Sequence, residues 1–347
     1  MKKTNHGIDK DCLPIFGTGA LNLGGTLRIN NDKIKVVVSH KLDPIFCSKS
    51  VYVDGIDEYT MSYIPDGELS DYDDLMEYVS KCTTDTVICI SINTFLRIFH
   101  GRDILIITAI REHVFDYVDQ INEAEITGMI VSFDNSESIA NELSKRLDRF
   151  KVYKGVADIV VPFREESIDR IEVYTSGDIP FFAFPEEARN YGIKEELSRV
   201  VLLEDDLLEQ YKKAKFLFVN GPQMIMSILM LHYHNYSEDT YRIHFKDDPN
   251  IIEIVRMTRI FEKTFISVCT SELDEEVKEV WKPHFSSVID YTMRSEFETP
   301  ERILPPKKSS YEKLQAFNNY FAALNSDIIN SGISYYKKYN TVYHKVS

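Results

Sequence analysis

Short, predominantly apolar runs separated by helix-length stretches constrain this chain more than any other feature. Leu13–Gly17, Ile34–Val38, Thr86–Ile92, Ile104–Thr108 and Met129–Phe133 are rich in Val, Ile and Leu and too short to be helices. They do not alternate apolar with polar residues. A strand reads that way when both its faces are buried, which is the condition of a parallel sheet covered on both sides. Between them, Asp71–Lys81, Val114–Ile121 and Glu137–Arg149 carry helical patterns, and Val51–Val53 and Tyr59–Tyr63 read as further short strands. Strand alternating with helix predicts an α/β first half built on a mainly parallel, doubly wound sheet.

The second half changes character. Ile171–Tyr174 and Phe181–Phe184 read as short strands, but from Leu202 onward the periodicity is helical, over 203–218, 222–234, 249–269, 274–292 and 311–330. Two domains follow, 1–190 with the sheet and 191–347 mostly helical, a division that suits 347 residues. Pro300, Pro305 and Pro306 predict a loop over Thr299–Ser310. A net charge of −15 argues against nucleic-acid and anionic-membrane partners, while leaving room for a local basic pocket. Cys12, Cys47, Cys82, Cys89 and Cys269 are scattered and form no C-x-x-C pair, so reduced thiols and no metal site are expected. Met1–Asp11 is polar, and the most apolar stretch, Phe216–Tyr233, is interrupted by Asn220, Gly221, Pro222 and Gln223. Neither reads as a leader nor as a membrane span, and a cytoplasmic protein is expected.

Several segments carry candidate chemistry. Gly17-Thr18-Gly19 follows the first strand and precedes a short helical stretch, with Asn22 at the third glycine position of G-x-G-x-x-G. Glycines there let backbone approach a pyrophosphate, although a glycine-rich turn after any buried strand looks the same. The second strand ends in Ser39, His40 and Lys41, without the carboxylate that would repel a 2′-phosphate. NADP(H) is therefore expected to bind at least as tightly as NAD(H). Asn135 follows a strand that ends toward the ligand crevice of such a sheet, or else caps the next helix. Lys215 stands before the apolar residues Phe216–Val219, where desolvation favours a neutral amine, or else it snorkels to the surface. Asn220 stands before Gly221-Pro222, which is also a good helix-capping arrangement.

In order and spacing, these pieces resemble the polyol-specific long-chain dehydrogenases, most closely the mannitol-1-phosphate 5-dehydrogenase branch. The matching segments are Phe16-Gly17-Thr18-Gly19, Ile130–Asn135, Gly155-Val-Ala-Asp158-Ile-Val-Val-Pro162, Lys215-x4-Asn220-x2-Gln223 and the basic stretch Glu301–Lys308. The resemblance implies a Rossmann-like domain followed by a helical one and an NADP or NAD cofactor. It implies Lys215 as general base, and Asn220 and Asn135 on the reacting oxygen. Gln223 stands where the family has histidine, Ile159 where it has arginine. The resemblance further implies Asp158, Arg302 and Lys308 toward the substrate. The expected activity is hydride transfer between a polyol or sugar-alcohol phosphate and its keto form. The alternative is a non-catalytic nucleotide- or protein-binding module on a degenerate dehydrogenase scaffold.

Overall fold

The computed structural model describes residues 12–17, 20–29, 32–39, 48–108, 115–133, 137–158, 163–175, 181–196, 199–268, 273–305 and 314. They pack as two units, Met1–Leu208 and Glu209–Ser347. The sequence places the change near residue 190. The division falls later because the short strands before residue 204 still contribute Phe182, Phe184, Val200 and Leu202 to the core of the first unit.

The first unit holds a ten-stranded sheet. Its parallel part is β1 (Cys12–Phe16), β2 (Ile34–Ser39), β4 (Asp57–Tyr63), β5 (Thr86–Ser91), β6 (Asp103–Thr108), β7 (Thr127–Ser132) and β8 (Phe150–Lys154). Across the sheet they run β4-β5-β2-β1-β6-β7-β8, every neighbouring pair parallel. From β1 the chain steps one way to β2 and β5, then returns to the other side of β1 for β6, β7 and β8. The order β5-β2-β1-β6-β7-β8 is that of a Rossmann fold, with the reversal between β1 and β6. Beyond β4 lie β3 (Ser50–Val53), β11 (Arg170–Tyr174) and, outermost, β10 (Phe163–Glu166).

Handedness decides what covers each face. A right-handed crossover puts the connecting helix on one face when the chain moves one way along the sheet and on the other when it moves back. Accordingly α2 (Tyr72–Val79), α3 (Ile92–Ile98), α4 (Val118–Glu123) and α5 (Glu137–Arg146) share one face, burying Leu75, Phe95, Ile121 and Leu143 against Val36, Ile90, Ile106 and Ile130. Among the described residues the other face receives α1 (Ala20–Gly24) and the 3₁₀ turns Thr26–Arg28 and Glu186–Tyr191, which bury Leu23, Leu27 and Ala188. Helices on both faces are the expectation from sequence, but the connection after β2 leads into the hairpin β3–β4. A small sheet of β9 (Val156–Asp158), β12 (Phe181–Pro185) and β13 (Val200–Leu203) completes that face, with Phe133 wedged edge-on against Phe182 and Phe184.

The second unit is helical. From α6 (Asp205–Lys215) the chain runs without a break through a π turn, Phe216–Asn220, into α7 (Gly221–Tyr233). The sequence predicts two helices with an end at 218; the correction has a physical cause. Pro222 has no N–H to give the carbonyl of Phe218, and a π turn absorbs the misfit, with Gly221 N–H reaching five residues back to Phe216 O. The resulting helix, 29 residues long, is long and apolar enough to cross a membrane, yet 83% of its apolar window is buried inside the protein. It is the central helix of its unit, with α8 (Ile251–Val268) and α9 (Glu275–Arg294) packed on it. The α9 stripe Val277, Trp281, Phe285 and Ile289 supplies much of that core. The predicted loop at Thr299 instead opens with one turn of helix, α10 (Pro300–Ile303), because Thr299 caps Arg302 N–H and proline is tolerated in a first turn. The predicted helix over 311–330 lies outside the described residues, apart from Leu314.

One residue burdens this fold. Lys35 on β2 is 1% exposed and gives its ammonium to Lys33 O at 2.8 Å. Desolvation pulls its pKa from 10.5 down to about 7, against a weaker opposing pull from Asp32. Between those two pH values the unfolded chain holds a proton that the folded chain lacks, so stability from this group rises with pH across that window. The burden is on the order of 4 kcal/mol at neutral pH and below. Lys35→Met is expected to raise the melting temperature near neutral pH, with the gain fading toward about pH 10. A gain that stays constant with pH in calorimetric melts contradicts this.

Candidate functional site

In an open parallel sheet a ligand lies beyond the carboxyl ends of the strands, at the reversal of strand order. Here that point is the end of β1 beside β6. Gly17 follows β1 with φ +98°, a conformation that excludes side chains, and its N–H bonds to Val38 O. Asn22 lies fully buried beneath the turn. Its amide nitrogen donates to Phe16 O at 2.5 Å and Gly17 O at 3.0 Å, and its oxygen accepts from Thr26 at 3.2 Å. Where G-x-G-x-x-G uses a third glycine to bring helix and strand together, this chain ties the turn with a side chain. Asn22 thus spends its side chain on holding the backbone of the turn. Thr18 and Gly19 lie outside the described residues. The bare backbone at Gly17 fits a pyrophosphate, while α1, at five residues, offers a weak dipole behind it.

A feature the sequence reading missed runs along the same edge. Ser39, Ser91, Thr108 and Ser132 end β2, β5, β6 and β7, in register as two pairs, Ser39↔Ser91 and Thr108↔Ser132. The signal was visible as four apolar runs each closed by a small hydroxyl, as in Val36-Val-Val-Ser39 and Leu105-Ile-Ile-Thr108. His40, Lys41 and Asn135 lie outside the described residues. Asp158 ends β9, half-buried and opposite Phe181.

In the second unit, the π turn gathers the other candidates. Five residues along an α-helix rotate a side chain about 140° away. Through a π turn, residues five apart are hydrogen-bond neighbours, so Lys215 and Asn220 come to one side. Gln223, three residues further along α7, joins them. Burial agrees: Lys215, Phe216 and Asn220 are half-buried, while Leu217, Phe218 and Val219 between them are inside. Asn220 makes no cap bond, and its backbone is helical at φ −73°, ψ −33°, so the capping explanation for it does not hold. Gln223 is 8% exposed, and its Nε2 meets no hydrogen-bond partner among the described residues. An orphan donor of that kind costs about 1–3 kcal/mol unless something binds it.

Arg302 is engaged elsewhere. Its guanidinium grips the fully buried carboxylate of Glu298 with two hydrogen bonds, one at 2.7 Å. A paired guanidinium of this geometry holds the chain between α9 and α10 and has little charge left for a phosphate. Lys308 lies outside the described residues.

The chain matches no described protein family and no curated protein sequence. Among solved structures it is similar to a dimeric ketopantoate reductase from Staphylococcus aureus, at 13% identity, covering 95% of this chain and 99% of that one, with a TM-score of 0.47. It is similar also to a 2-dehydropantoate 2-reductase from Methylococcus capsulatus, at 12% identity over 95% and 97%, TM-score 0.48. A third is octopine dehydrogenase with NADH and agmatine, at 10% identity over 94% and 89%, TM-score 0.48. At these scores the fold rests on the strand order itself and not on the likenesses.

The Asn22 tie has a measurable weight. Asn22→Ala strands two buried carbonyls at the end of β1 and is expected to destabilise the chain by about 2 kcal/mol or more in urea unfolding. A loss under about 0.5 kcal/mol, the level of an ordinary surface change, shows the tie to be dispensable.

Proposed function

We propose that the chain is an NAD(P)-dependent oxidoreductase that interconverts a secondary alcohol and its ketone. The observation that carries this reading is the π turn Phe216–Asn220, whose backbone register favours one helix face for the Lys215 amine, the Asn220 amide and the Gln223 amide donor. That is the equipment an alcohol oxidation asks of a protein: a base for the hydroxyl proton and donors for the oxygen left behind. The strand order and the bare turn at Gly17 support a dinucleotide in the first unit.

When bound, the nicotinamide supplies the acceptor for hydride. Lys215, as the neutral amine, takes the hydroxyl proton from the substrate. The Asn220 amide N–H donates to the same oxygen as charge builds on it, and Gln223 Nε2, unpaired among the described residues, gains a partner. Gln223 does not titrate, so the proton leaves from Lys215 to water. On the substrate side, the motif order supports a polyol or a sugar-alcohol phosphate. The pairing of Arg302 with Glu298 favours the unphosphorylated member of that pair. The five-residue α1 favours the alternative, a nucleotide-binding module without turnover, because a shorter helix gives a phosphate less to rest on.

Lys215→Ala separates the two. As a general base, Lys215 is expected to contribute about 10²–10⁴ in kcat, with dinucleotide affinity by calorimetry unchanged. Alcohol oxidation by the wild type is expected to rise with pH, because the reaction releases a proton. If the wild type binds a dinucleotide but turns over no polyol, hydroxy acid or sugar phosphate, and Lys215→Ala alters only the melting temperature, the module reading replaces this one.

A further inference from the structure

The residues of β2 alone predict tolerance of a 2′-phosphate, but the fold brings a carboxylate to that place from elsewhere in the chain. After β4, Ile64 N–H bonds to Cys89 O, which carries the strand's continuation along β5 to its end. Asp66 then reaches the last residue of β5: its Oδ1 accepts from Ser91 Oγ and, at 2.6 Å, from Thr94 Oγ1. Ser91 is the register partner of Ser39, the last residue of β2. Adjacent strands lie about 4.8 Å apart, so the carboxylate stands one strand-width from where a dinucleotide fold usually places its ribose-binding acid.

The two oxygens of Asp66 are not equivalent. Oδ1 is taken by the two hydroxyls, and that bond set explains its structural role at the start of α3. Oδ2 hydrogen-bonds nothing among the described residues, and the side chain is exposed at the carboxyl edge of the sheet. The hydroxyl bonds hold the carboxyl below the usual carboxylate range, so it is charged at any working pH. Arg97, the nearby cation that acts on it, gives its guanidinium to Leu69 O at 2.7 Å.

We propose that Asp66 is the residue that selects the cofactor, its free oxygen accepting from the adenosine ribose hydroxyls and its charge excluding a 2′-phosphate. The chain then prefers NAD(H) to NADP(H), the reverse of what Ser39, His40 and Lys41 suggest by themselves. The assignment rests on the dinucleotide reading above.

The experiment is a calorimetric titration of the full chain with NADH and with NADPH, for the wild type and Asp66→Asn. Asparagine keeps an acceptor for Ser91 and Thr94 but removes the charge. The wild type is expected to bind NADH at least about tenfold more tightly, and the variant to narrow that gap by about tenfold, chiefly by gaining NADPH. If the variant melts early, the wild type still decides, because screening closes a gap caused by repulsion as ionic strength rises. Equal or tighter NADPH binding by the wild type, or a gap that widens with salt, overturns the assignment while leaving the dinucleotide reading intact. Failure to bind either dinucleotide overturns both.

Discussion

A right-handed crossover leaves a parallel sheet no choice about which face receives each connecting helix, and most of the first unit follows from that constraint. The chain moves from β1 through β2 to β5 in one direction and returns to build β6, β7 and β8 in the other. The return crossover and the two after it lay α3, α4 and α5 on a single face, and α2 joins them because β4 lies outside β5. The opposite face is left to α1 and a small second sheet, and the strand ends diverge at β1, where Gly17 stands. The position of the candidate cofactor site is thus a by-product of strand order, reached without reference to any one side chain.

The second unit depends on a different accident of covalent chemistry. Proline lacks one hydrogen, and a helix that must pass Pro222 widens by one residue to do so. The widening turns Asn220 toward Lys215. A straight helix with the same sequence would hold those residues on separate sides.

What was legible in the sequence were elements whose identity is local. Ile34–Val38, Ile104–Thr108 and Met129–Phe133 are strands because β-branched and long apolar side chains filled both faces at once, and Tyr72–Val79 is a helix because Asp71 caps it. β8, with Lys151 and Lys154 at the edge of the sheet, is too polar for that rule. β9 at three residues and β13 at four are too short for any period to show. The continuity of the long helix was illegible because Gly221-Pro222 reads as a break, and a π turn leaves no mark in composition. At the candidate site, Gly17 and Lys215 announced themselves by residue type. Asp66 did not, since its meaning comes from a loop crossing the end of a neighbouring strand, a relation that no spacing encodes.

The outermost strand of the large sheet, β10, bears on how the protein behaves in company. An open sheet ends in a row of backbone donors and acceptors that recruit any passing strand, including one from a second molecule. Here that strand is the four residues Phe163–Glu166, and it carries Arg164, Glu165 and Glu166 in succession. Lys49 and Arg164 draw on Glu166, while Glu165 keeps its charge toward solvent. A strand laid alongside would have to strip water from these charges, so the short, charged strand at this end of the sheet works against pairing with a second copy.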